Sequence, residues 1–167
     1  MTEREIAIDA LVEITSDGLY GNLHLKKILA QNKALTVTQK AFVTELVNGS
    51  LRNLIYLDYC IANFSNTPIQ KLRPFIVNTL RVSAYQILFL DRTPNSAACN
   101  EAVKLVKARG YTRLSGFVNA NLRAIARGGI SLPKDRAKAL AIQFSYPEWL
   151  MTHFINELGM DATEPMC

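Results

Sequence analysis

Between Pro74 and Leu90 lies the stretch that most restricts the fold. At 3.6 residues per turn, Phe75, Ile76, Val77, Leu80, Val82, Ala84, Tyr85, Ile87, Leu88, Phe89 and Leu90 cover nearly the whole circumference of a helix. A helix that is apolar all round belongs in the centre of other helices. Its one polar ridge is Asn78, Arg81 and Tyr85, spaced i, i+3 and i+7. The rest of the chain must therefore supply amphipathic elements that wrap it.

The flanking sequence does so. Thr2 and Glu5 have the form of a capping box ahead of Ile6, Ala10, Leu11 and Ile14, and Asp17-Gly18 predicts a turn. A second short helix carries Leu23, Leu25, Ile28 and Leu29. Thr36 and Gln39 form another capping box before a long pattern through Phe42, Val43, Leu46, Val47, Leu54, Leu57 and Ile61. Gly49-Ser50 in its middle predicts a close helix crossing or a break, because Gly inside a helix costs about 1 kcal/mol against Ala. Thr67-Pro68 reads as cap and first helical residue. Asp91-Arg92-Thr93-Pro94 reads as a loop, and a helix follows to about Arg109, ended by Gly110. Lys134 to Gln143 reads as a short helix. Ser145 and Glu148 read as a third capping box ahead of Trp149 and Leu150, with Gly159 as its stop. No strand pattern is present. The expected fold is all-α, about seven helices in one compact bundle plus a C-terminal helical extension.

The helix of Ser115 to Arg127 has two contrasting faces. Leu114, Phe117, Val118, Leu122 and Ile125 gather on one side, with Asn121 among them. Gly116, Ala120, Arg123 and Arg127 gather on the other, two small residues running into two guanidinium groups. Such a strip suits a phosphate backbone. The charge distribution agrees. Net charge is +5 overall, yet residues 71–138 hold thirteen Lys/Arg against Asp91, Glu101 and Asp135, while residues 1–70 and 139–167 are both net acidic. A segregated block of that kind implies a polyanionic partner, most simply nucleic acid. The candidate contacts are Arg81, Lys104, Lys107, Arg109, Arg113, Arg123 and Arg127. Arg81, on the central helix, has competing roles as an ion-pair partner of Asp91 or Glu101 or as a donor to a helix C-terminus. Val47-Asn48-Gly49-Ser50-Leu51-Arg52 and Val118-Asn119-Ala120-Asn121-Leu122-Arg123 also echo each other, as two helices that cross at small residues would.

Other chemistries find no support. No nucleophile stands beside a base in a recognisable motif, so no catalytic residue is assigned. There is no glycine-rich phosphate loop after a strand. Cys60, Cys99 and Cys167 are widely spaced, and His24 and His153 are isolated, so no metal site is expected. No charge-free apolar run reaches about 18 residues, so no membrane span is expected. The polar, acidic N-terminus and unpaired cysteines fit a cytoplasmic setting.

Four blocks in order resemble NusB-type domains. Val43-Thr44-Glu45-Leu46-Val47-Asn48-Gly49-Ser50-Leu51-Arg52 is similar to one family helix. Leu80-Arg81-Val82-Ser83-Ala84-Tyr85-Gln86-Ile87-Leu88 is similar to the next. Pro94-Asn95-Ser96-Ala97-Ala98-Cys99-Asn100-Glu101-Ala102-Val103 and Gly116-Phe117-Val118-Asn119-Ala120-Asn121-Leu122-Arg123 complete the set. Asn48, Ser50, Ser96 and Asn121 depart from the residues usual there. Such domains occur in NusB itself and in 16S rRNA cytosine-5 methyltransferases of the RsmB (Sun/Fmu) type. Ser145-Tyr146-Pro147-Glu148-Trp149-Leu150 resembles the segment by which those methyltransferases enter their catalytic half, and residues 1–20 hold only Arg4 where NusB factors carry a basic cluster.

The resemblance implies a NusB-like RNA-binding domain over residues 1–130, with residues 131–167 as linker and start of a methyltransferase region. It implies ribosomal RNA and the parent's own catalytic domain as partners. S-adenosylmethionine and the catalytic cysteines belong to that other half, and none of this chain's cysteines inherits such a role. Two other readings are a NusB-like antitermination factor acting through RNA and a ribosomal protein, and a protein-interaction bundle.

Overall fold

The computed structural model describes residues 2–18, 21–90 and 94–158, and all regular structure in them is helical. Helices α1 (Glu3–Asp17), α2 (Gly21–Gln31), α3 (Val37–Arg52), α4 (Leu54–Asn63), α5 (Pro74–Phe89), α6 (Asn95–Ala108) and α7 (Ser115–Arg127) form the bundle. Helices α8 (Arg136–Gln143) and α9 (Glu148–Leu158) form the extension. The fold is all-α, as the patterns predict. No described helix is long and apolar enough to cross a membrane.

α5 is the hub. It packs against α1, α3, α4, α6 and α7, and every residue from Phe75 to Gln86 is buried. Pro74 at its start has no N–H to orphan, which suits a first helical position. Its polar side chains turn back on the helix or on near neighbours. Thr79 Oγ1 donates to the Phe75 carbonyl at 2.6 Å and Asn78 Nδ2 to the Pro74 carbonyl at 2.9 Å. Leu80 is fully buried beside Leu46, Leu57, Leu122 and Ile125, whereas Phe117 lies half-buried at the rim of the same core.

Side-chain caps fix the starts of α1, α3 and α8. Thr36 Oγ1 accepts from Gln39 N at 3.1 Å while Gln39 Oε1 accepts from Thr36 N at 2.8 Å, a complete capping box. Thr2 accepts from Glu5 N. Gly18 ends α1 at φ +65°, a left-handed conformation that glycine adopts without steric cost. The long pattern from Thr36 to Ile61 is two helices. Asn53 separates them, and both its N–H and its Nδ2 return to the Gly49 carbonyl, at 3.1 and 2.9 Å. Gly49 is also the crossing point, facing the Tyr85 ring of α5. The echoed segment does not repeat this role. Ala120, the counterpart of Gly49, is exposed.

Two expected caps differ. Thr67 caps no α-helix. Its N–H donates to Ser65 Oγ, and after Pro68 there is a single 3₁₀ turn, Ile69–Lys71, because Pro74 restarts the chain so soon. Ser145 does not cap α9 either. It sits at φ +57°, and its hydroxyl accepts from Tyr56 N in α4 at 3.1 Å. This bond and that of the Tyr59 hydroxyl to the Ser131 carbonyl moor the extension to α4. Leu140, Ala141 and Met151 form the extension's own small core with Phe144 and Tyr146. Residues 91–93 and Gly159 lie outside the described residues.

Candidate nucleic-acid interface

Residues 109–114 join α6 to α7, and the two helices pack closely along each other as a hairpin. The start of α6 and the end of α7 accordingly meet. Asn95, Ser96 and Cys99 share a shallow pocket of about 190 Å³ with Arg123, Ala126 and Arg127. The hairpin buries Val118, Asn121, Leu122 and Ile125 from α7 and Ala98, Cys99, Ala102, Leu105 and Val106 from α6. Asn121 meets half of its need. Its Nδ2 donates to the Ile61 carbonyl at 3.0 Å, while its Oδ1 has no protein partner.

What is left outside is cationic. Gly116, Ala120, Arg123 and Arg127 are all exposed along α7, a strip of roughly 16 Å at 1.5 Å per residue. Arg123 leans toward α6. Its Nε donates to Asn119 Oδ1 at 3.0 Å and its Nη2 lies 3.4 Å from Asn100 Oδ1. On α6, Ser96, Asn100, Lys104 and Lys107 follow one face at i+4 and i+3 steps. Lys104 is 3.6 Å from Glu101 in a largely exposed pair that holds it weakly. Lys107 and Arg113 are exposed at the hairpin's turn. The structure thus brings Lys104, Lys107, Arg113, Arg123 and Arg127 onto one helical hairpin.

Arg81 and Arg109 are not on that surface. Arg81 is 9% exposed and forms a fork with Asp58 of α4, Nε to Oδ1 at 2.7 Å and Nη2 to Oδ2 at 2.9 Å. Its Nη1 donates to Asn78 Oδ1 at 3.0 Å. The partner is Asp58 rather than Glu101, because α5 turns this ridge toward α4; Asp91 lies outside the described residues. The sequence signal for it is a lone carboxylate on a helix otherwise carrying Leu54, Leu57, Cys60 and Ile61.

Arg109 faces α1. Its Nη2 is 2.7 Å from Asp9 Oδ2 and 3.2 Å from Glu5 Oε2, and its guanidinium lies 4.6 Å from the Phe75 ring centre. The hydrogen bond it donates to Asp9 raises its pKa above the ordinary arginine value. On the other side, Phe75 stacks on Tyr111 at 5.9 Å and Arg73 covers Tyr111. Two cations therefore bracket two stacked rings, a clasp between α1, α5 and the end of α6. Arg109→Ala is expected to cost about 1–2 kcal/mol of stability. It should leave the salt dependence of any polyanion binding unchanged. Chemical denaturation and a salt titration check the two halves separately.

The buried thiols are not activated. Burial pushes the Cys60 thiol up to about 11 and also raises Cys99, so both stay protonated near neutrality. Among the described residues no group of His, Cys, Asp and Glu has the arrangement of a metal site.

The NusB family model matches residues 1–127. A probable ribosomal RNA small subunit methyltransferase B of Bacillus subtilis (strain 168) is 38% identical over 167 residues, covering 98% of this chain. The chain spans 37% of that relative's length. Transcription antitermination protein NusB of Geotalea daltonii is 31% identical over 131 residues, covering 74% of this chain and 90% of that protein. A crystal structure of antitermination factors NusB and NusE in complex with dsRNA superposes with a TM-score of 0.69 at 22% identity, over 75% of this chain and 93% of that one. At that identity the superposition speaks to the fold.

Proposed function

The chain belongs to the NusB family, and from that membership we propose that it is the RNA-binding domain of a larger ribosomal RNA cytosine-5 methyltransferase. The observation that carries RNA binding is the exposed cationic face of the α6–α7 hairpin. Lys104, Lys107, Arg113, Arg123 and Arg127 are exposed on the two helices and the turn that joins them, and among the described residues only Lys104 has a carboxylate in reach, while Glu5 and Asp9 are occupied by Arg109 on another side. The methyltransferase context is supported by the relative named methyltransferase B, which aligns through the α8–α9 extension, whereas the NusB relative aligns with 74% of the chain. The division near residue 130 belongs to the same proposal: bundle before it, passage to a catalytic half after it. So does a cytoplasmic setting, where ribosomal RNA is modified.

S-adenosylmethionine is the methyl donor expected of such a parent. The described residues do not fit it. They contain no strand, and so no glycine-rich strand-to-helix turn on which α/β folds hold nucleotide cofactors. No step of methyl transfer is assigned to this chain. Its contribution is to hold RNA at a fixed orientation, so that the reacting base is presented rather than captured by diffusion.

Phosphate contacts release counterions, so affinity for a ribosomal RNA fragment should fall steeply with salt. Arg123→Ala/Arg127→Ala is expected to lower the slope of log affinity against log salt by about two. Folding should be intact, because both side chains are exposed. Equal slopes and affinities for wild type and double variant would remove these arginines from the interface.

A further inference from the structure

At the end of the bundle where α3 stops and α4 starts, a cleft of about 590 Å³ opens between α4, the last turn of α5 and the extension. Tyr56 and Phe89 form one wall, Phe144 and Tyr146 line the side contributed by the extension, and Arg52, Asn53, Gln143 and Ser145 complete it. Among the described residues that line it none is a carboxylate, and Arg52 is the charged one. We propose that this cleft takes one unstacked base of a single-stranded RNA segment, with Arg52 beside its phosphate. The proposal rests on the RNA-binding reading above and adds to it a specific nucleotide site.

The aromatic geometry carries the argument. Phe89 is 43% exposed, unusual for a Phe that also has two ring neighbours. Tyr85 stacks on it at 5.4 Å with 24° between the planes, and Tyr56 meets it edge-on at 6.1 Å. The ring is thus held rigidly from within the protein while part of it stays open to the cleft. A preordered aromatic face is what base stacking needs, and every base offers a matching face. Asn53 and Gln143 supply amide donors and acceptors able to pair with a base edge. Arg52 supplies the positive charge of the lining. The volume suits a single nucleotide rather than a duplex.

The placement suits a continuous RNA path. Phe89 ends α5 and Asn95 starts α6, so at most about 22 Å of chain separates the exposed ring from the pocket of Asn95, Ser96, Arg123 and Arg127. A strand whose backbone follows the α6–α7 hairpin reaches the cleft at the hairpin's open end.

The test uses this 167-residue chain with a fluorescein-labelled hexauridylate and an equally long oligomer whose central sugars carry no base. Wild type should bind the hexauridylate about tenfold more tightly than the abasic oligomer. Phe89→Ala and Tyr146→Ala should each remove most of that difference while keeping the salt slope, since stacking releases no counterions. Circular dichroism and thermal melting verify that both variants fold. Arg123→Ala/Arg127→Ala should do the reverse, lowering the slope and keeping the preference for bases. If wild type binds both oligomers equally but with a steep salt slope, the RNA-binding reading stands and the base site is overturned; the cleft is then a protein-docking cleft. If neither oligomer binds while a ribosomal RNA fragment does, the base site is overturned and the RNA-binding reading stands; if the fragment fails as well, both readings fall.

Discussion

Asp58→Ala is expected to lower the unfolding free energy by about 3 kcal/mol, the lower end of the range for breaking a buried ion pair. The guanidinium of Arg81 is fixed on the central helix α5, surrounded by core. Its fork on Asp58 and its bond to Asn78 satisfy three of its N–H donors. Removing the carboxylate leaves a charge that is 9% exposed with a single amide oxygen for company. Asp58 itself keeps 27% of its side chain exposed, so water can enter where it was, which places the loss at the lower end. Replacing both partners by apolar residues of similar size, Asp58→Leu with Arg81→Met, should recover most of the loss. The pair is therefore expected to matter less for net stability than for the angle between α4 and α5. Urea denaturation of the single and double variants measures it. A loss under about 1 kcal/mol for Asp58→Ala would show that the pair is solvated.

The same pair marks where sequence reasoning stops. The helix it stands on is legible because its apolar residues leave no solvent face, and the capping box at Thr36 and Gln39 is legible because both partners are local. Arg81 is not, because its partner lies 23 positions away on another helix and only packing selects Asp58 over Glu101. Arg109 fails for the same reason. Nothing near it in the chain announces Asp9 and Glu5, which sit 100 and 104 positions away. The strip of Gly116, Ala120, Arg123 and Arg127 needs no such information. Helical period alone sorts it to the outside, opposite an apolar seam. The aromatic cleft is invisible in sequence, since Phe89 reads as one more apolar residue of a buried helix and Ser145 as a helix cap. Its walls come from three separate stretches that meet through the docking of the extension on α4.

Gly49→Ala is expected to destabilise the protein by about 2 kcal/mol, although Ala is the better helix former by about 1 kcal/mol. The sign is the informative part. α3 and α5 cross at Gly49, and a β-carbon built there falls within the Tyr85 ring, far inside van der Waals contact. Tyr85 has little room to retreat. It is 4% exposed, stacks on Phe89, and its hydroxyl lies 3.5 Å from Glu45 Oε1. The added methyl must push the helices apart or drive the ring off its rotamer, and both disturb the core that α5 organises. Gly116→Ala provides the contrast. That glycine is helical and exposed with nothing near its missing β-carbon, so the change should be neutral or stabilising by a few tenths of a kcal/mol. In a Tyr85→Leu background, which shortens the opposing side chain, Gly49→Ala should lose most of its cost. The coupling between the two sites would then be roughly 2 kcal/mol. Thermal and denaturant unfolding of the four-member cycle reads this directly. Additive effects, or a stabilising Gly49→Ala in the wild-type background, would mean that α3 and α5 do not cross at this residue. The close approach matters beyond stability, because Tyr85 is the ring that backs Phe89. A methyl at position 49 that displaces Tyr85 should also loosen the aromatic wall of the cleft and weaken hexauridylate binding, without touching any residue that lines it.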